Sequence, residues 1–172
     1  MKPRAAPPRS ARLRPRRSSC PISYALDILG DRWTLLIVRD LVFSGKRMFG
    51  QFLQSDEHIA TNILTDRLGR LVCAGVLQRD ATPASAGRSG YRLTERGLGL
   101  VPLLLDLVVW GARNDPHTGA PPEFVARAET HREEVLAEIM AGLSGTRDPV
   151  RPAAGPASPP PPTPSPRGRR RR

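Results

Sequence analysis

Residues 59–80, IATNILTDRLGRLVCAGVLQRD, constrain the fold more than any other stretch. At helical pitch, Leu68 and Leu71 fall within about 40° of Leu64, a narrow apolar stripe. Thr61, Asn62, Thr65, Asp66 and Gly69 lie outside it. Ala74-Gly75 stops the helix, and residues 76–79 read as a strand. Such a helix must bury its leucine side against other elements. It leaves a second side, small and polar, open to close approach. Ile59 is placed to staple against Leu64 across the helix start. Ala60 is a poor cap, so Thr61 is expected to cap instead.

The flanking segments supply what the leucines need. Residues 20–45 read as two helices. Pro21 suits a first turn, with Tyr24, Leu26, Ile28 and Leu29 apolar and Gly30 closing. Asp31 caps the second helix, which carries Trp33, Leu36, Ile37, Asp40 and Leu41 at helical spacing. Residues 46–55 form a short helix with Phe49, Phe52 and Leu53 inward. After the opening stretch, residues 76–79 and 91–93 pair as a hairpin around a Gly, Ser, Ala and Pro loop. Thr94-Glu95 starts a long apolar helix to about Trp110, kinked at Pro102. A final helix over residues 123–143 carries Phe124, Ala128, His131, Val135, Ile139 and Leu143 on one stripe.

A short helix, a turn, a helix and a hairpin in that order make a winged helix-turn-helix, mainly α with one small β-hairpin. In that fold the second helix of the motif enters the DNA major groove, which is wide enough to admit it. Thr61, Asn62 and Thr65 are small and polar, as such a face requires. Asn62 matches adenine N6 and N7, and Thr65 a thymine methyl or a phosphate. Arg47, Arg67, Arg70 and Arg88 are candidates for phosphate. The plain alternative is a solvated helix face and ordinary surface charge. Asp66 suits cytosine N4, but pairing with Arg67 or Arg70 is favoured.

Charge placement supports this reading unevenly. Of the formal +11, residues 1–19 carry +7 and residues 144–172 carry +6, so residues 20–143 carry −2. Within that body, residues 46–96 carry +3 and residues 97–143 carry −4. Both tails are Arg- and Pro-rich with little to bury, and are expected to be disordered. The expected organisation is a basic tail (1–19), a winged helix-turn-helix domain (20–112), a helical extension (113–143) and a Pro/Arg-rich tail (144–172). No apolar run reaches the roughly 20 residues a membrane span needs, and the basic N-terminus lacks the apolar core of a secretory signal. A cytoplasmic protein without membrane contact follows. Cys20 and Cys73 define neither a disulfide framework nor a metal site. His58, His117 and His131 have no metal-ligand companions, no catalytic constellation is visible, and no cofactor is expected. Trp33 and Trp110 read as core or dimer contacts, with a ligand pocket as the minor alternative. The long apolar helix carries more outward Leu and Val than a monomer surface holds, with Leu104 and Val108 taken as facing a second copy, so a homodimer is expected.

Four motifs in order resemble the HxlR-type winged-helix transcriptional regulators of bacteria. They are CP followed by ALDILGDRWTLLIVRDL, then RMFGQFL, then IATNILTDRLGRL with AGV, and YRLTERG. The resemblance covers residues 20–112, with Gln51 and Phe52 departing from the family's RRFxEL segment. The loop PASAGRSG lacks the family's Pro-rich tip and Val-Glu. The resemblance implies a dimer built from the first and the long later helices, a double-stranded DNA operator of two-fold symmetry (a palindrome), and no enzymatic activity. It also implies an effector, a small molecule or an electrophile, since some members respond to thiol-reactive compounds through a Cys just before the first helix. Cys20 sits there, beside Arg16 and Arg17 and a helix start, which favours a reactive thiolate. The competing role is an inert thiol. Cys73 is read as a small filler. The alternative function is a winged-helix module for protein–protein contact whose tails bind nucleic acid nonspecifically.

Overall fold

A computed structural model describes residues 18–80 and 90–144. The two tails and most of the hairpin loop, Arg88 included, lie outside the described residues. Eight helices and two strands run in the order α1 (Pro21–Leu29), α2 (Arg32–Phe43), α3 (Phe49–Leu53), α4 (Thr61–Cys73), β1 (Leu77–Asp80), β2 (Gly90–Leu93), α5 (Glu95–Leu98), α6 (Val101–Asn114), α7 (Pro122–Thr130) and α8 (Arg132–Ser144). The strands are antiparallel, with Leu77 opposite Leu93 and Arg79 opposite Tyr91.

Local chemistry sets most boundaries. Pro21 occupies the first turn of α1. Asp31 caps α2, accepting from the Trp33 and Thr34 amides at 3.0 and 3.1 Å. The α4 helix ends in the two-bond glycine motif: Gly75 takes φ 69°, its N–H reaches Val72 O, and the Val76 N–H reaches Leu71 O, both at 3.0 Å. Ile59 and Leu64 are both buried across the start of α4, as a staple requires. Thr61 does not cap: Ala60 holds the capping position without a side-chain bond, and Thr61 is the first helical residue.

One core holds these elements. Leu64, Leu68 and Leu71 of α4 join Ile37, Val38 and Leu41 of α2, Phe52, Leu77, and Val101, Leu104 and Leu105 of α6. Ala128, Val135 and Ile139 of the last two helices are buried in the same cluster, so the C-terminal extension is part of this core.

Three expectations about the later helices are corrected. The long helix kinked at Pro102 is two helices, α5 and α6, and Gly97 of α5 packs directly on Val76, just before β1. A Cβ there would lie 2.2 Å from Val76 O. The chain turns at Gly99 and restarts, with Pro102 in the first turn of α6, where its missing N–H costs nothing. This restart sets the phase of α6. Leu104 is buried with Val101 and Leu105, and Val108 packs against the core. The outward apolar residues are instead Leu103, Leu107 and Trp110. The single final helix is likewise two, broken at His131 (φ −130°, ψ 45°). The break lets α8 turn back so that Val135 and Ile139 reach the core, and His131 itself is exposed, off the expected stripe.

Candidate nucleic-acid interface

The site is built from the turn that presents α4. Asp40 of α2 is buried yet charged, so it must be fully bonded. It accepts from Arg39 Nη2 at 2.7 Å, Lys46 Nζ at 2.9 Å and the Ser55 hydroxyl. Lys46 Nζ also donates to Ser55 Oγ at 2.7 Å. Arg39 reaches on to Glu57, its Nη2 lying 2.9 Å from Oε2. Glu57 is thereby held below the usual carboxylate range, chiefly by the Arg39 bond, with burial opposing. This network ties the turn between α3 and α4 to α2. It was not legible beforehand, since Asp40 reads only as a polar position within an apolar helix.

On that footing, Thr61, Asn62 and Thr65 are exposed on α4, while Leu64, Leu68 and Leu71 are buried. The Thr65 hydroxyl donates to Thr61 O at 2.8 Å. Its proton is therefore committed, and the γ-methyl remains for contact. Asp66 pairs with Arg67 at 2.5 Å, the pairing expected for it.

The arginines divide. Arg47 is half-buried, with Nη1 donating to Leu41 O at 2.6 Å and Lys46 O at 3.1 Å, and burial pushes its guanidinium down from the usual arginine range. Arg47 O receives the Tyr91 N–H at 2.8 Å, lashing this segment to β2. Arg67 contacts Asp31, Nε to Oδ1 at 2.8 Å, and Arg70 Nη2 donates to Asp27 O at 3.2 Å. Arg79 and Arg92 are exposed on the hairpin stem, and Arg79 lies 6.0 Å from the Tyr91 ring centre. Neither was singled out from sequence. The alternation in GYRL, with Tyr91 inward, was the signal available for Arg92, whereas Arg79 shares the Leu77 face and pairs opposite Tyr91.

Cys20 is exposed at the capping position of α1, its N–H bonded to Ser18 Oγ at 3.2 Å. Cys73 is exposed at the end of α4 and is not the packed filler expected. Trp33 is half-buried beneath the Arg32 guanidinium, 5.4 Å from its ring centre. Among the described residues no group of His, Cys, Asp or Glu is arranged to hold a metal, and no helix is long and apolar enough to cross a membrane.

A turn tied to α2 through buried Asp40 and Ser55, an exposed polar first turn of α4 and a hairpin stem lashed beside it define a winged helix-turn-helix protein of the DNA-binding kind. The chain belongs to the HxlR-like helix-turn-helix family, whose model matches residues 28–118, and it is a transcriptional regulator of that class. It is similar to Rv3095 of Mycobacterium tuberculosis, an uncharacterized HTH-type transcriptional regulator. That match is 39% identical over 138 residues and covers 78% of this chain and 85% of the relative. It is 38% identical over 86 residues to sll1512 of Synechocystis, another uncharacterized HTH-type transcriptional regulator, across 50% of this chain and 63% of that one. Among solved structures, the redox regulator HypR in its oxidized form matches with a TM-score of 0.51 and 29% identity, covering 56% of this chain and 98% of HypR.

Proposed function

We propose that the protein is a homodimeric regulator that reads a palindromic operator with α4. The observation that carries this reading is the exposure of Thr61, Asn62 and Thr65 on a helix whose other side is fully packed. Asn62 reads adenine, and Thr65 meets a thymine methyl. The first amides of α4 have no side-chain cap and suit a backbone phosphate. Arg79 and Arg92, with Arg88 of the connecting loop, take further phosphates. The basic tails add sequence-independent contacts.

Dimerisation is supported by two apolar faces that no described residue covers. Leu103, Leu107 and Trp110 (66% exposed) lie along one side of α6, and Ile22 (69% exposed) and Leu26 along α1. Response to a thiol-reactive effector is supported by the exposure of Cys20 at a helix start and by the likeness to HypR.

The test is selection of bound sites from random DNA by the full chain, followed by Asn62→Ala. The substitution should cost about 1–3 kcal/mol on the selected site and relax one base pair per half-site. Recovery of no consensus would favour the protein-interaction module instead, and equal losses on selected and random DNA would remove Asn62 as a reader.

A further inference from the structure

An arginine on a DNA-reading helix is ordinarily assigned to phosphate, and the surroundings of Arg67 argue against that role. Its side chain is only 19% exposed and runs from α4 toward the junction of α1 and α2, away from Thr61, Asn62 and Thr65. Nε lies 2.8 Å from Asp31 Oδ1, an ion-pair contact in which the buried Nε–H is not aimed at an acceptor, and Nη1 donates to Asp66 Oδ2 at 2.5 Å. Asp31 is itself heavily engaged, accepting from the Trp33 and Thr34 amides at 3.0 and 3.1 Å and from Thr34 Oγ1 at 2.5 Å. One turn further along α4, Arg70 Nη2 donates to Asp27 O at 3.2 Å, in the last turn of α1. The same residues, with Ser23, Leu26 and Gly30, line an open cleft of about 540 Å³ between α1 and α4.

The packing explains why such a grip is needed. Leu64, Leu68 and Leu71 fix how deep α4 sits. A smooth apolar stripe is non-directional, however, and says little about the roll of the helix around its axis. Two contacts to a second element do: the Arg67–Asp31 ion pair and the Arg70 hydrogen bond to Asp27 O. We infer that Arg67 and Asp31 form a positioning pair that sets the roll of α4, and so the presentation of Asn62 and Thr65, and that Arg67 itself contacts no phosphate. This rests on the reading of α4 as the DNA-reading helix.

The two roles predict opposite results at Asp31. Asparagine caps a helix as well as aspartate, so Asp31→Asn keeps the amide bonds at the start of α2, removes the charge facing Arg67, and turns the oxygen that accepts the Thr34 hydroxyl into an amide nitrogen. Loss of a negative charge near DNA leaves affinity unchanged or raises it. Loss of a positioning contact lowers it, and only on the cognate site. At Arg67, lysine keeps the charge a phosphate needs but loses Nε and the planar fork.

The experiment takes the full chain as wild type, Asp31→Asn, Arg67→Lys, Arg67→Gln and the Asp31→Asn/Arg67→Gln double variant. Each is bound to the selected operator and to a random duplex across a salt series, with a melting curve to establish that it is folded. Each single variant should lose about tenfold on the operator, with random-DNA affinity and salt slope unchanged. The double variant should lose no more than the worse single. The inference is overturned if Arg67→Gln weakens both duplexes equally and flattens the salt slope by about 0.9. Wild-type operator affinity in Asp31→Asn or Arg67→Lys overturns it equally. If the wild-type chain itself prefers no sequence, it is the reading of α4 that fails, and the inference falls with it.

Discussion

Phe124 meets Phe43 edge to face, with ring centres 6.4 Å apart and planes at 86°. The contact joins α7, beyond the family match at residues 28–118, to the last residue of α2. Aromatic pairs in this geometry contribute beyond their buried area. Phe124→Ala should therefore destabilise the whole chain by about 2–3 kcal/mol in a urea titration. It should leave operator affinity near wild type wherever the protein remains folded. A loss confined to α7 and α8, with the transition of the rest unchanged, would show that the extension folds separately.

Leu107 and Leu104 distinguish an exposed apolar face from a core on one helix. Leu107 is exposed and Leu104 buried. Leu107→Glu should give a folded monomer by sedimentation, with operator binding weakened at least about tenfold. Leu104→Glu places a charge in the core and should unfold the chain. A folded Leu107→Glu dimer that binds normally would direct attention to Ile22 and Leu26 instead.

Glu57 should matter in acid. Its carboxyl is held below its ordinary value of 4.5 by the bond from Arg39. A depressed carboxylate contributes stability that is present above the unfolded value and lost as pH falls through the folded one. Asp31 adds to the same trend: burial raises it, but bonds from Thr34, Arg67 and the Trp33 amide more than offset this. Wild type should therefore lose melting temperature steadily below about pH 4.5. Glu57→Gln should start lower at neutral pH and fall less steeply, and parallel curves would remove Glu57 from the account.

The two thiols are both exposed, so exposure alone does not choose between them. If Cys20 is the reactive one, Cys20→Ser should bind DNA normally in reducing buffer and lose its response to a thiol oxidant. Cys73→Ser should retain the response. The reverse result would move sensing to the end of α4, and an unaltered response in both would favour a noncovalent effector.

What the sequence disclosed follows from the range of the forces involved. The Leu64, Leu68 and Leu71 stripe, the Gly75 stop and the Asp31 cap are local patterns, and each appears where expected. Pro102 misled because a proline inside an apolar run reads as a kink. The close approach of Gly97 to Val76 O, a contact distant in sequence, was equally hidden. Nothing near His131 is a helix breaker, so the second break is imposed by the burial of Val135 and Ile139. Asp31, which faces Arg67, and Asp27, whose carbonyl receives Arg70, lie across the fold on a turn and another helix, which no periodicity reports.

The backbone of Val76 carries a last consequence. Its N–H closes α4 through Leu71 O, its carbonyl receives the Thr94 N–H at 3.0 Å and the Thr94 hydroxyl at 3.1 Å, and Gly97 is pressed against that carbonyl. One residue thus joins the end of a helix, the root of a hairpin and the start of the next helix. If α4 and the hairpin meet DNA as proposed, such a regulator acquires new targets by exchanging side chains on α4, and an operator with one base pair inserted between the two zones should bind more weakly.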